Sequence, residues 1–129
     1  MIITLNTSSS IPIYLQLRNQ IITGIGKGQL KAGESLPTVR QLAQDAGVNT
    51  MTVNKTYQIL KAEGFIEIDR RKGATVRPSQ TTDIIFRERL ALDLELLSAE
   101  ACLKGMQKDD FLKLCDEIFS GMHPAFTEG

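Results

Sequence analysis

The run Leu36-Pro37-Thr38-Val39-Arg40-Gln41-Leu42-Ala43, followed by Gly47-Val48-Asn49 and then Thr50-Met51-Thr52-Val53-Asn54-Lys55-Thr56-Tyr57, decides how this chain folds. Thr38 suits a helix N-cap, because its hydroxyl can accept from an N–H of the first turn, and Pro37 keeps the chain extended before it. Val39, Leu42, Ala43 and Ala46 recur at helical spacing, which predicts a short helix over about 39–46 with these residues on its buried face. Gly47 supplies a left-handed helix end, and Val48 packs inward to fix the turn. Asn49 then caps a second helix over about 50–63, with Val53, Tyr57, Ile59 and Leu60 on its apolar side and Gly64 at its end. Phe65 to Asp69 has strand character, Arg70-Arg71-Lys72-Gly73 reads as a turn, and Ala74 to Arg77 as the return strand. Two capped helices across a tight turn, followed by a basic hairpin, form a winged helix-turn-helix.

Working outward, residues 1–11 read as an extended lead-in, and Pro12 suits the first turn of a helix, where a missing N–H costs nothing. Tyr14, Leu17, Ile21 and Ile25 line one face of that helix, and Gly24, Gly26 and Gly28 loosen its end. Gly24-Ile25-Gly26-Lys27-Gly28 superficially resembles a phosphate loop. Such a loop needs a strand before it and a helix after it, whereas these glycines follow a helix. Pro78 and Ser79 mark a domain boundary, giving an N-terminal domain of residues 1–77 and a helical region of 78–129. In the latter, about 82–104 lacks Pro and Gly and is rich in Leu, Gly105 breaks the run, and a second helix spans about 108–120.

The net charge is zero, yet residues 1–80 hold ten Lys/Arg against five Asp/Glu, and residues 81–129 the reverse. Such asymmetry points to a basic module for a polyanion and an acidic module for something else. A signal-peptide core is absent from Met1-Ile2-Ile3-Thr4-Leu5, and no stretch approaches the roughly 20 apolar residues of a membrane span. Cys102 and Cys115 form no CxxC pair, so reduced thiols and a cytoplasmic location are expected. With His123 as the single histidine, a His-based metal site has almost no material, and nothing in the sequence calls for a cofactor.

Double-stranded DNA is the polyanion that this geometry fits. The major groove admits one helix whose N-terminal residues reach base edges. Asn49, Thr50, Met51, Thr52, Asn54 and Lys55 occupy that position on the second helix. Thr38 and Arg40 start the preceding helix, where N–H groups also point at phosphates, and Arg40 would meet the backbone or a guanine edge. Arg70, Arg71, Lys72 and Gly73 form the hairpin tip, placed for the minor groove or flanking backbone.

The same residues resemble the DNA-binding domain of the GntR family of bacterial transcription regulators over most of the first 77 positions. A Leu-Pro-Ser-x-Arg-x-Leu-Ala run is matched by Leu36, Pro37, Thr38, Arg40, Leu42 and Ala43, and a Gly-Val turn by Gly47 and Val48. Thr52, Val53 and Tyr57, then Leu60, Glu63 and Gly64, then Lys72, Gly73, Ala74, Thr75 and Val76 continue the likeness. Two positions depart: Thr50 stands where many members carry Arg, so a bidentate guanine contact is missing there, and Arg71 stands where a small residue is common. The resemblance implies a repressor that binds a palindromic operator. Fewer than 55 residues follow the hairpin, too few for the large effector domains of most members. The chain therefore looks like the YtrA-like subfamily, whose members end in two dimerising helices and often lie beside transporter genes.

The sequence supports dimerisation independently. Ile85, Leu92, Leu96, Ala99 and Leu103 follow a seven-residue repeat interrupted by Arg89, and Phe86, Leu90, Leu94, Leu97 and Ala101 form a second stripe. A helix apolar on two faces must bury both. The short helix carrying Phe111, Cys115, Ile118, Phe119 and Met122 can cover one, and a second subunit the other. Two other classes compete. A winged helix serving only as a protein-interaction scaffold would carry a neutral second helix and no basic wing, unlike Lys55, Arg70, Arg71 and Lys72. An enzyme would need a nucleophile with its base, whereas Cys115 has no histidine nearby in sequence and Asp109-Asp110 and Asp116-Glu117 lie on a solvated helix.

Overall fold

The computed structural model describes residues 3–78 and 81–124. Its elements run α1 (Ile13–Gly26), α2 (Val39–Ala46), α3 (Thr50–Ala62), β1 (Ile66–Asp69), β2 (Gly73–Val76), α4 (Ile84–Leu103) and α5 (Lys108–Ser120). The architecture is mostly helical with one small hairpin, and it divides into two compact units, one holding α1 to β2 and the other α4 and α5.

In the first unit, α1 and α2 both pack on α3. Leu17 and Ile21 of α1 meet Val53, Tyr57 and Leu60 of α3 in one core with Leu30, Leu36, Leu42, Ala43, Ile66, Ala74 and Val76. Leu17, Ile21, Val53 and Leu60 have no accessible surface. Truncating any of the three larger ones to alanine removes packing worth about 2–5 kcal/mol. Helix α1 starts one residue later than expected: Pro12 is its N-cap, and the Pro12 carbonyl accepts from the N–H groups of Leu15 and Gln16 at 3.0 and 3.1 Å. Gly24 is buried within α1, so the glycine cluster is a helix end. Two glutamines one turn apart on α1 hold the lead-in much as a neighbouring strand would. Gln16 Oε1 accepts from Asn6 N–H (2.8 Å) while its Nε2 donates to the Asn6 carbonyl (2.9 Å), and Gln20 Oε1 accepts from Thr4 N–H (2.8 Å).

The hairpin pairs antiparallel, Ile66 with Val76 through Asp69 with Gly73. The sequence pattern assigns no element to residues 33–36, but they run along the other edge of β2. Gly33 N–H donates to the Val76 carbonyl (2.7 Å), Val76 N–H to Glu34 (3.0 Å) and Leu36 N–H to Ala74 (2.8 Å). The segment leading into α2 is thereby tied to the hairpin. A bidentate pair does similar work at the other end of α3. Arg18 of α1 donates Nε and Nη2 to the two oxygens of Glu63 at 2.9 and 2.7 Å, half-buried, and the guanidinium's pKa is raised by that hydrogen bond.

In the second unit, Asp83 caps α4 by accepting from Phe86 N–H at 2.7 Å. Gly105 at φ 88° breaks the chain, and α5 packs against α4. No residue of either helix is buried. The repeat stripe is the more open: Ile85, Leu92, Leu96 and Leu103 are 64–87% exposed, against 40–54% for Phe86, Leu90, Leu94 and Leu97.

The turn between α2 and α3 offers a direct test. Gly47 sits at φ 71°, and a Cβ built there meets nothing within 4 Å, so a side chain would cost only backbone strain. Gly47→Ala should lower stability by about 1–2 kcal/mol in urea unfolding, the cost of a left-handed non-glycine residue, and Gly47→Asn should lose less. Equal losses for both would mean the position is limited by space instead.

Candidate nucleic-acid interface

Both helix starts carry the caps read from the sequence. Thr38 Oγ1 accepts from Gln41 N–H at 3.1 Å, which leaves Arg40 exposed in the first turn of α2. Asn49 Oδ1 accepts twice, from Thr52 N–H at 2.8 Å and from the Thr52 hydroxyl at 2.9 Å. Neither helix has an acidic residue in its first turn, so the positive end of each backbone dipole is not neutralised locally.

These contacts divide the predicted residues by role. Asn49 and Thr52 grip each other, so the Asn49 oxygen and the Thr52 proton are already committed, and the Asn49 amide N–H groups are what it can offer outward. Thr50, Met51, Asn54 and Lys55 are exposed, with Met51 80% open to solvent. A helix turns 100° per residue, so Met51, Asn54, Lys55 and Gln58 share one outward face opposite the buried Val53, Thr56, Tyr57 and Leu60. Gln58 was missed by the sequence reading, although its spacing of four from Asn54 and seven from Met51 was available to find it. An amide there can pair bidentately with adenine.

Lys55, expected as a cation of this face, has a partner on α1. Its ammonium lies 3.8 Å from the centroid of the Tyr14 ring on α1. Behind this face, two hydroxyls seat α3. Thr56, fully buried, donates to the Tyr14 carbonyl at 2.9 Å, and Tyr57 donates to the Pro37 carbonyl at 2.6 Å. The second bond fixes the residue just before the α2 cap against α3, and so sets where Arg40 stands relative to Asn54.

At the hairpin tip, Arg70, Arg71 and Lys72 are all exposed. Asp69 shapes the turn by accepting from Arg71 N–H at 2.6 Å, and Gly73 at φ 70° closes it. That φ lies in the left-handed region that side chains avoid. Arg77 and Glu67, 3.5 Å apart and largely exposed, form a weak pair at the base. The unit therefore presents two capped helix N-termini whose dipoles no first-turn carboxylate neutralises, a polar outward helix face and three consecutive cations at the tip. Phosphates and base edges are the ligands that suit such a surface. Among the described residues there is no cluster of His, Cys, Asp and Glu able to hold a metal ion, and no helix long and apolar enough to cross a membrane. In the second unit, Ile85, Leu92, Leu96, Ala99 and Leu103 all lie exposed on α4.

Known proteins resemble this chain in sequence and in structure. Residues 12–76 match the family described as bacterial regulatory proteins, gntR family. The chain is 37% identical to the HTH-type transcriptional repressor YtrA of Bacillus subtilis over 118 residues, 90% of this chain and 91% of that protein. The solved structure of YtrA from Sulfolobus acidocaldarius, a GntR-family transcription factor, superposes with a TM-score of 0.66 at 38% identity, covering 77% of this chain and 99% of that one. The AraR DNA-binding domain in complex with operator ORE1 superposes with a TM-score of 0.51 at 26% identity, covering 57% of this chain and 89% of that one.

The seat of α3 titrates at high pH. Burial pushes the Tyr57 phenol from 10.0 up to about 12. An unfolded chain therefore gives up this proton first, so the stability it supplies is intact below pH 10 and is lost as pH rises toward 12. Tyr57→Phe should cost about 1 kcal/mol near neutrality, the worth of one buried hydrogen bond. The gap between wild type and variant in urea unfolding should then narrow through that alkaline window. A gap that stays constant would show that Tyr57 does not ionise on unfolding.

Proposed function

The chain belongs to the gntR family of bacterial regulatory proteins, with YtrA-like relatives along nearly its whole length, and on that premise we propose that it is a repressor binding a palindromic operator as a homodimer. Members of this family are DNA-binding transcription regulators and not enzymes. The observation that carries the proposal is the pairing of two surfaces. Residues 1–77 present the outward face of α3 beside two open helix dipoles and a cationic hairpin. Helix α4 presents an apolar stripe, on which Ile85, Leu92, Leu96 and Leu103 are 64–87% exposed.

Each residue has a role on this reading. Thr50, Met51 and Asn54 reach base edges from α3, with the Asn49–Thr52 pair holding the helix end in place; Met51 suits a thymine methyl. Thr38, Arg40 and Lys55 meet the backbone, and Arg70, Arg71 and Lys72, on a turn closed by Gly73, meet the minor groove or flanking phosphates. One winged unit covers a half-site. A two-fold partner on the α4 stripe would place the second unit on the other half-site, one or more helical turns of about 34 Å away. The subfamily resemblance makes transporter genes the expected targets.

Three measurements bear on this. Arg40→Ala and Arg71→Ala should each weaken binding to DNA fragments selected by the wild-type protein. Each should also reduce the slope of log affinity against log salt by about one unit, the change expected when one phosphate is no longer neutralised. Asn54→Ala should change the preferred bases at about 1–3 kcal/mol per base contact; an unaltered consensus would remove Asn54 from readout. Leu92→Asp or Leu96→Asp should give monomers in sedimentation with much weaker operator binding. Wild-type protein that sediments as a monomer at micromolar concentration while binding its operator fully would overturn the homodimer.

A further inference from the structure

Lys55 and Thr56 are consecutive on α3, and both take hold of the same residue of α1. Thr56 donates its hydroxyl to the Tyr14 carbonyl at 2.9 Å, fixing the backbone, and the Lys55 ammonium rests 3.8 Å from the Tyr14 ring centroid. The other cation–ring approaches among the described residues, Arg18 to Phe65 and Arg89 to Phe86, are looser at 6.0 and 5.9 Å. Neither ion pair found among the described residues involves Lys55, so no carboxylate there lies within 4.0 Å of its ammonium.

That combination has a physical consequence. A carboxylate would also restrain a lysine, but it would neutralise the charge and compete with phosphate for it. An aromatic face attracts the cation through its quadrupole and leaves the full charge in place. The three N–H donors of an ammonium cannot all point into one ring, so those turned away stay available to an acceptor in solvent. A free lysine surrenders much rotamer freedom when it meets a phosphate; held on Tyr14, this one has surrendered it on folding.

We propose that Tyr14 is a positioning residue of the DNA interface, holding Lys55 on the α1 side of the outward face of α3 as a preorganised, fully charged phosphate contact. The inference rests on the reading of Lys55 as a backbone contact. Nothing in the sequence pattern points to it, because Tyr14 lies 41 positions before Lys55 and reads simply as part of an apolar helical face.

The test is fluorescence anisotropy with a duplex selected from random sequence by the wild-type protein, titrated across a salt series. Lys55→Met should lower both affinity and salt slope, by about one unit of slope. Tyr14→Phe should bind within about twofold of wild type, since the ring face is kept. Tyr14→Leu should weaken binding about two- to fivefold, as expected for removal of an exposed cation–π interaction, and should have no further effect in a Lys55→Met background. Should Tyr14→Leu fail to fold, phenylalanines of increasing fluorination at position 14 keep the shape while draining the ring of electrons, and affinity should fall stepwise with fluorine count. Lys55→Met that binds like wild type, with an unchanged slope, would overturn the backbone-contact reading and this inference with it. If Lys55→Met weakens binding but affinity ignores fluorination, or if Tyr14→Leu costs the same in both backgrounds, the role of Tyr14 fails while Lys55 remains a contact.

Discussion

Four inward positions of α3, Val53, Thr56, Tyr57 and Leu60, are almost sealed from solvent, and two of them carry hydroxyls. A buried hydroxyl without a partner costs about 1–3 kcal/mol, so α3 can sit only where both are satisfied. Thr56 finds the Tyr14 carbonyl in the first turn of α1, and Tyr57 finds the Pro37 carbonyl just before α2. Apolar packing alone would tolerate α3 sliding or rolling along the core. These two directional bonds, together with the Arg18–Glu63 clasp at the far end of α3, allow one seat. No buried side-chain polar atom among the described residues is left without a partner. The outward face then follows, because a rigid helix with its inner face indexed has no freedom left for its outer one.

How much of this was legible in the sequence depends on the distance over which each cause acts. The caps at Thr38 and Asn49 and the left-handed Gly47 act within one turn, and α2 spans the residues expected of it, as does α5. The end of α3 fell one residue short of the expected Glu63, where the Gly64 turn and the Arg18 pair both act. Residues 33–36 stayed hidden because Gly33, Glu34 and Ser35 have little strand propensity, and their pairing is imposed by β2 some forty residues later. The burial of Thr56 stayed hidden for a similar reason, its acceptor lying 42 positions away. At the interface, the outward polar residues could be named from helical spacing, but the double acceptance by Asn49 and the Tyr14–Lys55 contact could not, since both depend on where side chains come to rest.

The two units solve the problem of burial differently. The winged unit closes a core on its own, with the hairpin, α1 and α2 all covering α3. The unit of α4 and α5 buries no residue, although its longer helix is apolar along two stripes. Two helices form one layer, and a stable domain needs at least two. The excess of apolar surface on α4 is thus a demand for further helices, and under the homodimer proposed above a second copy brings a matching pair to make a bundle.

Under the homodimer proposed above, Arg89 bears on the register of the contact. It stands in the middle of the repeat stripe, between Ile85 and Leu92, where a seam of leucines would be the more stable choice. Its guanidinium lies 5.9 Å from the Phe86 ring, toward the second stripe on the same helix. On the proposed homodimer, a cation in an apolar seam costs stability where a partner helix covers it, as a polar residue at a coiled-coil core position does in setting register. An isologous contact repeats each feature across its two-fold axis, so a given offset places both copies of Arg89 either against leucine or against something that can accept from them. Helix α4 also carries Asp93, Glu95 and Glu100, so acceptors for a guanidinium are present within the same helix sequence. On the proposed homodimer such a residue exchanges some stability of the seam for a narrower choice of alignment.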